Sequence, residues 1–348
     1  MNDEKQMNIE IIGTGRALPS KKVSNDDLAA RIDTSDEWIR SHTGIGSRYI
    51  ADEDIACSDL AAEAAKNALA MAAGYTGDDP AERDKAAAEI AGTIDMIVLA
   101  TATADYFGTP STACIVQDRI CARNAAAMDI TAGCTGFVYG LETAAGLLSI
   151  NSRRKRALVI GAEVLSRMIN WEDRGTCVLF GDGAGAVVVE KSGKNSGILQ
   201  TLLFADGSGS ESLVMRRGGT RNPFKKGEVI DTPICVEMNG QEVYNFAVKA
   251  ITDTVEALMK AGNISIDNIV RIIPHQANAR IVQAARRRLH IPAEKFYMNI
   301  EEYANTSSAT IPIALDELNR SGQIKKGDLI LTVGFGGGLT YGGNIIIW

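Results

Sequence analysis

The chain has 348 residues, of which 45% are hydrophobic, and a formal net charge of −7 at pH 7. Its length exceeds that of one typical domain, so we expect two domains or one large domain built from two halves. No apolar run is long enough to span a membrane, and the acidic balance argues against nonspecific binding to nucleic acid.

The N-terminal residues and the cysteines indicate the cellular compartment of the protein. The first residues are polar and mixed in charge, without the apolar core of a signal peptide, so we expect a cytoplasmic protein. The six cysteines form no Cys-x-x-Cys pair and have no histidine at metal-ligand spacing. We therefore expect free thiols, no disulfide framework and no metal ion.

The opening of the chain superficially resembles a nucleotide-binding loop. A predicted strand runs into Gly13 and Gly15, but the third glycine of the dinucleotide fingerprint is missing. Pro19 stands where a phosphate-binding helix should continue, so we reject a Rossmann fold.

Helices dominate the next stretch. Ser24 and Thr34 each precede acidic residues, which is typical of the start of a helix. An alanine-rich helix is predicted over residues 59–74. The segment 75–89 is polar and breaks this pattern, so we interpret it as a surface insertion.

From residue 94 onward the sequence repeats itself loosely. The matching segments are 94–100 with 266–272, 127–131 with 297–301, 156–163 with 328–335, and 180–189 with 341–347. Each copy alternates predicted strands and helices, which indicates a duplicated α/β unit. We expect an N-terminal half over residues 1–194, a C-terminal half over residues 195–348, and a five-layer α-β-α-β-α arrangement. The glycines within 181–185 run into a strand and are interpreted as a tight hairpin.

Cys134 stands where a predicted apolar strand turns into an amphipathic helix. Phe137, Leu141 and Leu148 recur after it at helical spacing, so the helix is predicted to begin at Cys134. The N-terminus of a helix favours a thiolate over a thiol, which would make Cys134 a nucleophile. On this stretch alone, a buried structural cysteine is an equal alternative.

Two other residues are candidates to act with Cys134. His275 ends a predicted buried strand, and ligand sites in open α/β sheets lie at the carboxyl ends of strands. Asn305 lies where the repeat places the counterpart of Cys134, although it could serve only as a helix cap. The glycine-rich run 334–342 follows another strand and is expected to bring bare backbone to the site.

These motifs together resemble the active-site segments of the β-ketoacyl-acyl-carrier-protein synthase III family. The segments are TAGCTGF at 131–137, PHQAN at 274–278, NTS at 305–307 and GFGGG at 334–338. Their order and spacing also match, and the resemblance covers essentially the whole chain apart from the polar insertion. It implies the thiolase fold, a homodimer, and a decarboxylative Claisen condensation that starts acyl-chain synthesis.

The resemblance implies a role for each residue of the site. Cys134 would take an acyl group from acyl-coenzyme A, and malonyl-acyl-carrier protein would enter next. His275 and Asn305 would stabilise the enolate charge that develops as carbon dioxide leaves. The backbone N–H groups of Cys134 and Gly337 would form the oxyanion hole. No metal or redox cofactor is implied, since coenzyme A enters as part of a substrate.

Four residues are implied for coenzyme A binding. Trp38 and Arg174 match the positions that hold the adenine between an aromatic face and a guanidinium group. Asn278, in the PHQAN segment, is expected to contact the same coenzyme. His42 stands where the family usually has arginine, so this chain departs from the family pattern for the coenzyme phosphates.

The primer and the carrier protein have their own expected sites. Thr109 and Phe335 are expected at the acyl pocket, where Thr109 replaces a bulky phenylalanine of many acetyl-primed members and would admit a longer or branched primer. Arg280, Arg287 and Arg288 follow the PHQAN segment and are expected to dock the acidic carrier protein.

The residues leave other assignments open. Elongating ketosynthases use two histidines, and biosynthetic thiolases use a second cysteine near the place where Phe335 stands here. Plant-type polyketide synthases share the Cys, His and Asn set, so a starter enzyme or acyltransferase of a specialised polyketide-type pathway is the enzyme alternative. A catalytically silent partner subunit is an alternative of another class, although the intact set of Cys134, His275 and Asn305 argues against it.

Overall fold

The structure, a computed structural model, describes residues 8–193, 196–230 and 234–348. Its strands fall into two main sheets and two short ribbons. In chain order they are β1 (Asn8–Ala17), β2 (Lys21–Ser24), β3 (Ser47–Ile50), β4 (Met96–Ala100), β5 (Ala126–Ile130), β6 (Arg156–Glu163), β7 (Gly183–Ser192), β8 (Gly197–Ala205), β9 (Leu213–Val214), β10 (Glu237–Met238), β11 (Ile269–Pro274), β12 (Leu329–Gly336) and β13 (Thr340–Ile347).

The helices alternate with the strands along the chain. They are α1 (Asn25–Ala29), α2 (Asp36–Thr43), α3 (Cys57–Ala72), α4 (Pro80–Ala91), α5 (Thr112–Arg119), α6 (Gly136–Ser149), α7 (Gly240–Gly262), α8 (Ala279–Arg288), α9 (Ile300–Tyr303) and α10 (Thr310–Arg320). The N-caps Ser24 and Ser35 each accept a backbone N–H, so both early helices begin close to their predicted starts. Within the described residues, no helix is both long and apolar enough to cross a bilayer.

The two main sheets repeat one strand order, as the sequence repeat predicts. The first sheet has the order β1-β7-β6-β4-β5, and the second has the order β8-β13-β12-β11. In both sheets one parallel pair, β4 with β6 and β11 with β12, is followed on one side by two antiparallel neighbours, β7 and β1 in the first sheet and β13 and β8 in the second. The boundary predicted at residues 194 and 195 lies outside the described residues and stays a prediction.

One part of the predicted repeat is wrong. The counterpart of β5 in the second half, predicted over residues 297–301, does not form a strand. It is reduced to a single parallel bridge between Ile272 and Phe296, and the chain enters α9 directly afterwards. The second sheet therefore has four strands where the first has five.

Apolar contacts arrange the helices in three layers around the two sheets. Phe137 and Leu141 on α6, with Ile311 and Leu315 on α10, belong to one buried cluster that also includes residues of both sheets. Helix α3 packs on the outer face of the first sheet, and α7 and α8 pack on the second. This confirms the predicted five-layer α-β-α-β-α arrangement.

The glycines of β1 and β7 serve close packing. A Cβ atom on Gly13 would lie 2.3 Å from the Ala68 carbonyl oxygen of α3, so these glycines admit a helix and form no phosphate loop.

The predicted tight hairpin within 181–185 is wrong, because residues 164–182 separate β6 from β7. A Cβ atom on Gly185 would lie 2.7 Å from the Ile313 backbone nitrogen, so this glycine lets α10 approach the sheet.

The polar segment 75–89 contains most of a surface helix. Asp79 caps α4, and Pro80 occupies its first turn. Ion pairs join α4 to α3 between Lys66 and Asp84 at 3.3 Å and between Arg83 and Glu63 at 2.9 Å. Charged contacts therefore complement the few buried alanines that hold this helix in place.

We predict that Gly13→Ala lowers the free energy of unfolding by about 2 kcal/mol, because the added methyl group overlaps the α3 backbone. Urea denaturation followed by circular dichroism measures this change. Gly92→Ala is the matched control, since a Cβ atom there meets nothing within 4 Å and its φ is −65°. Equal stabilities for the two variants would contradict the packing role of Gly13.

Candidate active site

Cys134 lies where the backbones of the two halves meet. It belongs to a short 3-10 helix, Gly133–Thr135, and α6 begins two residues later at Gly136, close to the predicted start. Gly133 has a positive φ of 52°, and a Cβ atom on it would lie 2.8 Å from the Gly337 nitrogen. A Cβ atom on Gly336 would lie 2.5 Å from the Cys134 nitrogen. Only glycine permits this approach.

Burial, and not the helix N-terminus, dominates the ionisation of Cys134. Desolvation raises the pKa of the Cys134 thiol to about 12, and the nearby Glu163 acts in the same direction. The Ser307 side chain and the Cys134 backbone N–H act in the opposite direction, because both favour the thiolate. Burial therefore favours the thiol in the free site, and the effect of the helix N-terminus on the thiolate stays a prediction.

His275 is a buried, neutral imidazole. It follows β11, and its backbone N–H donates to the Val333 carbonyl oxygen of β12 at 2.8 Å. Only 1% of the residue is exposed, and desolvation lowers the pKa of the imidazole to about 3. The Phe335 ring packs edge-on against it, with ring centroids 5.0 Å apart. A neutral ring donates one hydrogen bond and accepts one.

Thr310 holds the His275 ring and was not among the predicted residues. The Thr310 Oγ1 lies 2.7 Å from Nδ1 of His275 and 3.0 Å from the Ser307 carbonyl oxygen. The hydroxyl has one proton, which is donated either to the Ser307 carbonyl oxygen or to Nδ1. In the tautomer that has its ring proton on Nε2, the hydroxyl turns to Nδ1, and the Nε2–H can be donated to a ligand. The sequence feature that could have predicted this contact is the hydroxyl residue at the start of the helix that follows the NTS segment.

Asn305 is oriented by its own turn. Its side-chain oxygen accepts the Ser307 backbone N–H at 2.8 Å, and its backbone N–H donates to the Leu179 carbonyl oxygen at 2.9 Å. Ser307 has a positive φ of 51°, so the turn is strained. Because the amide oxygen is engaged, the NH2 group of Asn305 is the part left to donate to a ligand.

Two cavities meet at Cys134. A tunnel of about 240 Å³ is lined by Cys134, His275 and Asn305 together, so the structure brings the three predicted catalytic residues to one space. A second cavity of about 350 Å³ extends from Cys134 and includes Gly337. Its walls are mainly apolar, with the side chains of Leu165, Met168, Phe180, Leu213, Val214, Met215 and Val236.

The predicted coenzyme residues lie together at the mouth of the tunnel. The rings of Trp38 and His42 are stacked with centroids 4.4 Å apart, and Nδ1 of His42 donates to the Trp38 carbonyl oxygen at 2.7 Å. The guanidinium carbon of Arg174 lies 4.8 Å from the Trp38 ring centroid. Asn278 caps α8 and donates from its side chain to the His42 carbonyl oxygen at 3.1 Å. An aromatic platform with a cation beside it suits a planar, electron-rich ring.

Of the two residues predicted for the acyl pocket, neither lines the apolar cavity within one copy of the chain, and the role of Thr109 stays a prediction. Phe335 lines the tunnel beside His275, because β12 ends there, and does not line the apolar cavity. Thr109 is exposed on the segment between β4 and α5 and lines neither cavity. Thr109 lies on the eleven-residue connection that joins these two elements.

The arginines of α8 form an exposed basic stripe at the tunnel. Arg280 lines the tunnel mouth, and Arg287 and Arg288 are exposed further along the helix. None of the three forms an ion pair within the part of the chain that the structure describes. Across the same described ranges, no group of three or more His, Cys, Asp or Glu is placed to hold a metal ion.

The duplicated five-layer fold and a Cys, His and Asn set between its halves define a thiolase-fold condensing enzyme, which is an acyltransferase. Two family models match: "3-Oxoacyl-[acyl-carrier-protein (ACP)] synthase III" over residues 128–207, and the C-terminal model of the same name over residues 259–348. The chain belongs to the β-ketoacyl-[acyl-carrier-protein] synthase III family.

Whole-chain comparisons agree with this membership. The synthase III of Caldanaerobacter subterraneus is 49% identical over 339 residues, covering 97% of both chains. The crystal structure of the Aquifex aeolicus synthase III is 40% identical, with a TM-score of 0.85 over 98% of this chain and 100% of that one. The priming β-ketosynthase of the R1128 polyketide pathway is 30% identical, with a TM-score of 0.86 over 100% of this chain and 98% of that one.

We predict that His275 stays neutral from about pH 8 down to pH 5, because burial opposes its charged form. The folded protein then binds fewer protons than the unfolded chain below about pH 6.5, so His275 lowers the stability progressively as the pH falls. Side-chain nitrogen NMR of the three histidines measures the titration, and His275→Ala assigns the signal. A midpoint near 6.5 for His275 would contradict the prediction.

Proposed function

We propose that this chain condenses an acyl group from acyl-coenzyme A with malonyl-acyl-carrier protein to start acyl-chain synthesis. The observation that supports this most directly is the position of Cys134, which is where the tunnel and the apolar cavity join. A thioester carbonyl at the thiol then has its acyl chain in the apolar cavity and its pantetheine arm in the tunnel. Cys134 takes the acyl group, and free coenzyme A leaves.

The second half-reaction uses His275 and Asn305. Malonyl-acyl-carrier protein enters the same tunnel, and the Nε2–H of His275 and the NH2 of Asn305 donate to its thioester oxygen. These hydrogen bonds stabilise the enolate as carbon dioxide leaves. The resulting carbanion attacks the acyl-Cys134 carbonyl, whose oxyanion receives hydrogen bonds from the backbone N–H groups of Cys134 and Gly337. The neutral state of His275 fits this role, since it donates a hydrogen bond without gaining a proton.

The coenzyme binds at the tunnel mouth in this proposal. The adenine stacks on Trp38, and Arg174 moves off the Trp38 ring to cover the other face of the base. Asn278 and His42 border the phosphates. No metal or redox cofactor takes part, since both steps are acyl transfers between thioesters.

We further propose that the primer is longer than acetyl. The apolar cavity beside Cys134 measures about 350 Å³, and its walls include the flexible side chains of Leu165, Met168 and Met215. An acetyl group would leave most of this space unfilled. Burial of each further methylene group contributes about 0.8 kcal/mol, so a chain of several carbons is favoured.

The homodimer belongs to the same proposal. Strand β5 ends the five-stranded sheet, and its outer edge pairs with no strand among the described residues. Tyr106 and Phe107 are 59% and 72% exposed on the connection that precedes α5. An open strand edge beside exposed aromatic side chains is suited to pairing with a second copy of the chain.

A starter enzyme of a specialised polyketide-type pathway is the second candidate function. The similarity to the R1128 priming β-ketosynthase supports it, because that protein has the same fold at 30% identity. It would share the acylation of Cys134 and differ in the primer or the extender. The silent-subunit alternative has no such support, since Cys134, His275 and Asn305 line one tunnel.

We predict that wild-type protein gains one acyl mass when it is incubated with acyl-coenzyme A and loses it when malonyl-acyl-carrier protein is added. Intact-protein mass spectrometry measures both steps. Cys134→Ala should gain no mass, and Cys114→Ala, which removes an exposed thiol, should behave like the wild type. When acyl-coenzyme A primers of different lengths are compared, Cys134 should be acylated more by chains longer than acetyl. A strong preference for acetyl would overturn the primer proposal, and no acylation at any length would overturn the function.

We predict that Arg287→Glu lowers kcat/KM for malonyl-acyl-carrier protein about tenfold at low salt, because a carboxylate replaces a cation facing an acidic partner. The effect should shrink as the ionic strength rises. Acylation by acyl-coenzyme A should not change. Arg153→Glu is the control, since Arg153 is exposed on the loop after α6. Equal losses of kcat/KM in the two variants would show that the net charge of the protein matters and would contradict docking of the carrier protein at Arg287.

A further inference from the structure

Two threonines join the halves of the fold beside Cys134. Thr135 follows Cys134 in the first half and is buried, and Thr340 begins β13 in the second half. The Thr135 hydroxyl donates to the Thr340 carbonyl oxygen at 3.0 Å. The Thr340 hydroxyl donates to the Ala132 carbonyl oxygen at 2.8 Å. Each threonine side chain is therefore bonded to the backbone of the other half.

The Ala132 carbonyl oxygen closes the turn that contains Cys134. It accepts the Thr135 backbone N–H at 3.2 Å in addition to the Thr340 hydroxyl. The Cys134 N–H lies inside this turn, near the start of a 3-10 helix, so it has no partner within that helix. The bond from Thr340 therefore anchors the short segment that presents the Cys134 N–H to the site.

The same threonine fixes the loop that carries the Gly337 N–H. Gly337 is the first residue of the loop 337–339 between β12 and β13, and Gly336 and Thr340 are the strand pair that closes this loop. The run of three glycines, 336–338, has no side chains to restrict its backbone, so its position depends on its ends. Anchoring Thr340 to the Cys134 turn therefore also limits where the Gly337 N–H can lie.

The proton of the Thr340 hydroxyl has one best acceptor. The hydroxyl lies 3.2 Å from the Gly337 carbonyl oxygen and 3.1 Å from Oγ1 of Thr135, compared with 2.8 Å from the Ala132 oxygen. A hydroxyl has a single proton, and the shortest distance assigns it to Ala132. The bond that crosses between the halves is thus the strongest one that this side chain makes.

The glycines and the threonines have complementary effects on the distance between the halves. Gly133 and Gly336 lack the Cβ atoms that would keep the two backbones apart, so they determine only how closely the halves can approach. Contact alone does not prevent the halves from separating or sliding. Hydrogen bonds weaken as they lengthen or bend, so the bonds of Thr135 and Thr340 oppose both movements.

We propose that Thr340 and Thr135 are positioning residues that set the separation between the N–H groups of Cys134 and Gly337. The proposal rests on the proposed function, in which both groups donate to the oxyanion of each acyl transfer. Such donors act at about 2.7–3.1 Å from the oxyanion, and a misplacement of about 1 Å can cost on the order of 100-fold in rate. The two threonines therefore act on the rate at which a bound thioester reacts and not on its binding.

Contact with the primer is a different role that the position of Thr340 allows, since this residue also lines the apolar cavity. The two roles have different consequences. A primer contact depends on the length of the acyl chain, because a short chain leaves part of the cavity unfilled. The geometry of the oxyanion hole is the same for every primer, because the reacting carbonyl group is the same.

The test compares two reactions of Cys134 in Thr340→Val, which keeps the shape of threonine and removes its hydroxyl. Rapid-quench mass spectrometry at saturating acyl-coenzyme A should show acylation slowed about tenfold, by the same factor for each primer length. Alkylation by iodoacetamide forms no oxyanion, because sulfur attacks a CH2 group and iodide leaves. Its rate, measured on the peptide that contains Cys134, should stay within about twofold of the wild-type rate. Calorimetry should give an unchanged Kd for coenzyme A.

Three further variants separate the hydroxyl from the packing of the site. Thr340→Ser keeps the hydroxyl and should be acylated at close to the wild-type rate. Thr135→Val removes the other bond between the halves and should also slow acylation without slowing alkylation, which tests the inference even if Thr340→Val does not fold. Thr143→Val is the matched control, since its hydroxyl donates to the Tyr139 carbonyl oxygen within α6, and both rates should stay unchanged.

Several results would overturn the inference. Equal losses of acylation and alkylation in Thr340→Val would show a general disturbance of the Cys134 turn. Wild-type acylation in Thr340→Val, or an equal loss in Thr340→Ser, would show that the hydroxyl does not set the geometry. A loss that varies with primer length would assign Thr340 to the primer. Absence of acylation in the wild type would instead overturn the proposed function.

Discussion

The site depends on one close contact between backbones. Gly133 and Gly336 let the turn that contains Cys134 lie directly against the end of β12, at distances that leave no space for a side chain. Strand β12 also fixes His275, because the Val333 carbonyl oxygen accepts its backbone N–H. The contact therefore sets the position of the thiol and of the imidazole together. Any residue with a Cβ atom at either glycine would separate the two halves at the reacting atoms.

Desolvation follows from this contact and decides what each group can do. Desolvation lowers the pKa of His275 and raises the pKa of Cys134, so burial favours a neutral imidazole and a neutral thiol. A neutral His275 can stabilise a developing enolate oxygen but is poorly suited to remove a proton from sulfur. The same burial that makes the hydrogen-bond donors strong thus makes the nucleophile difficult to activate.

The sequence predicted much of the fold, because the repeat of apolar strands and amphipathic helices is a local pattern that appears twice. Helix α4 was not predicted because polar contacts, including the Asp79 cap and ion pairs to α3, hold much of it. The contact between Ser308 and Glu163 joins residues 145 positions apart, and no local pattern encodes it.

In the proposed function the coenzyme and the carrier protein share one entrance, and the charges around it bear on how both would use it. Arg40, the nearest arginine in sequence to His42, is paired with Asp36 at 2.8 Å and with Glu301 at 2.6 Å, so it is not free for a phosphate. Arg280 lines the same mouth at the start of α8 and is exposed. With histidine at position 42, the phosphates are expected to lie nearer to Arg280, on the stripe that would receive the carrier protein. The two partners would then compete for one basic surface, which requires coenzyme A to leave before the carrier docks.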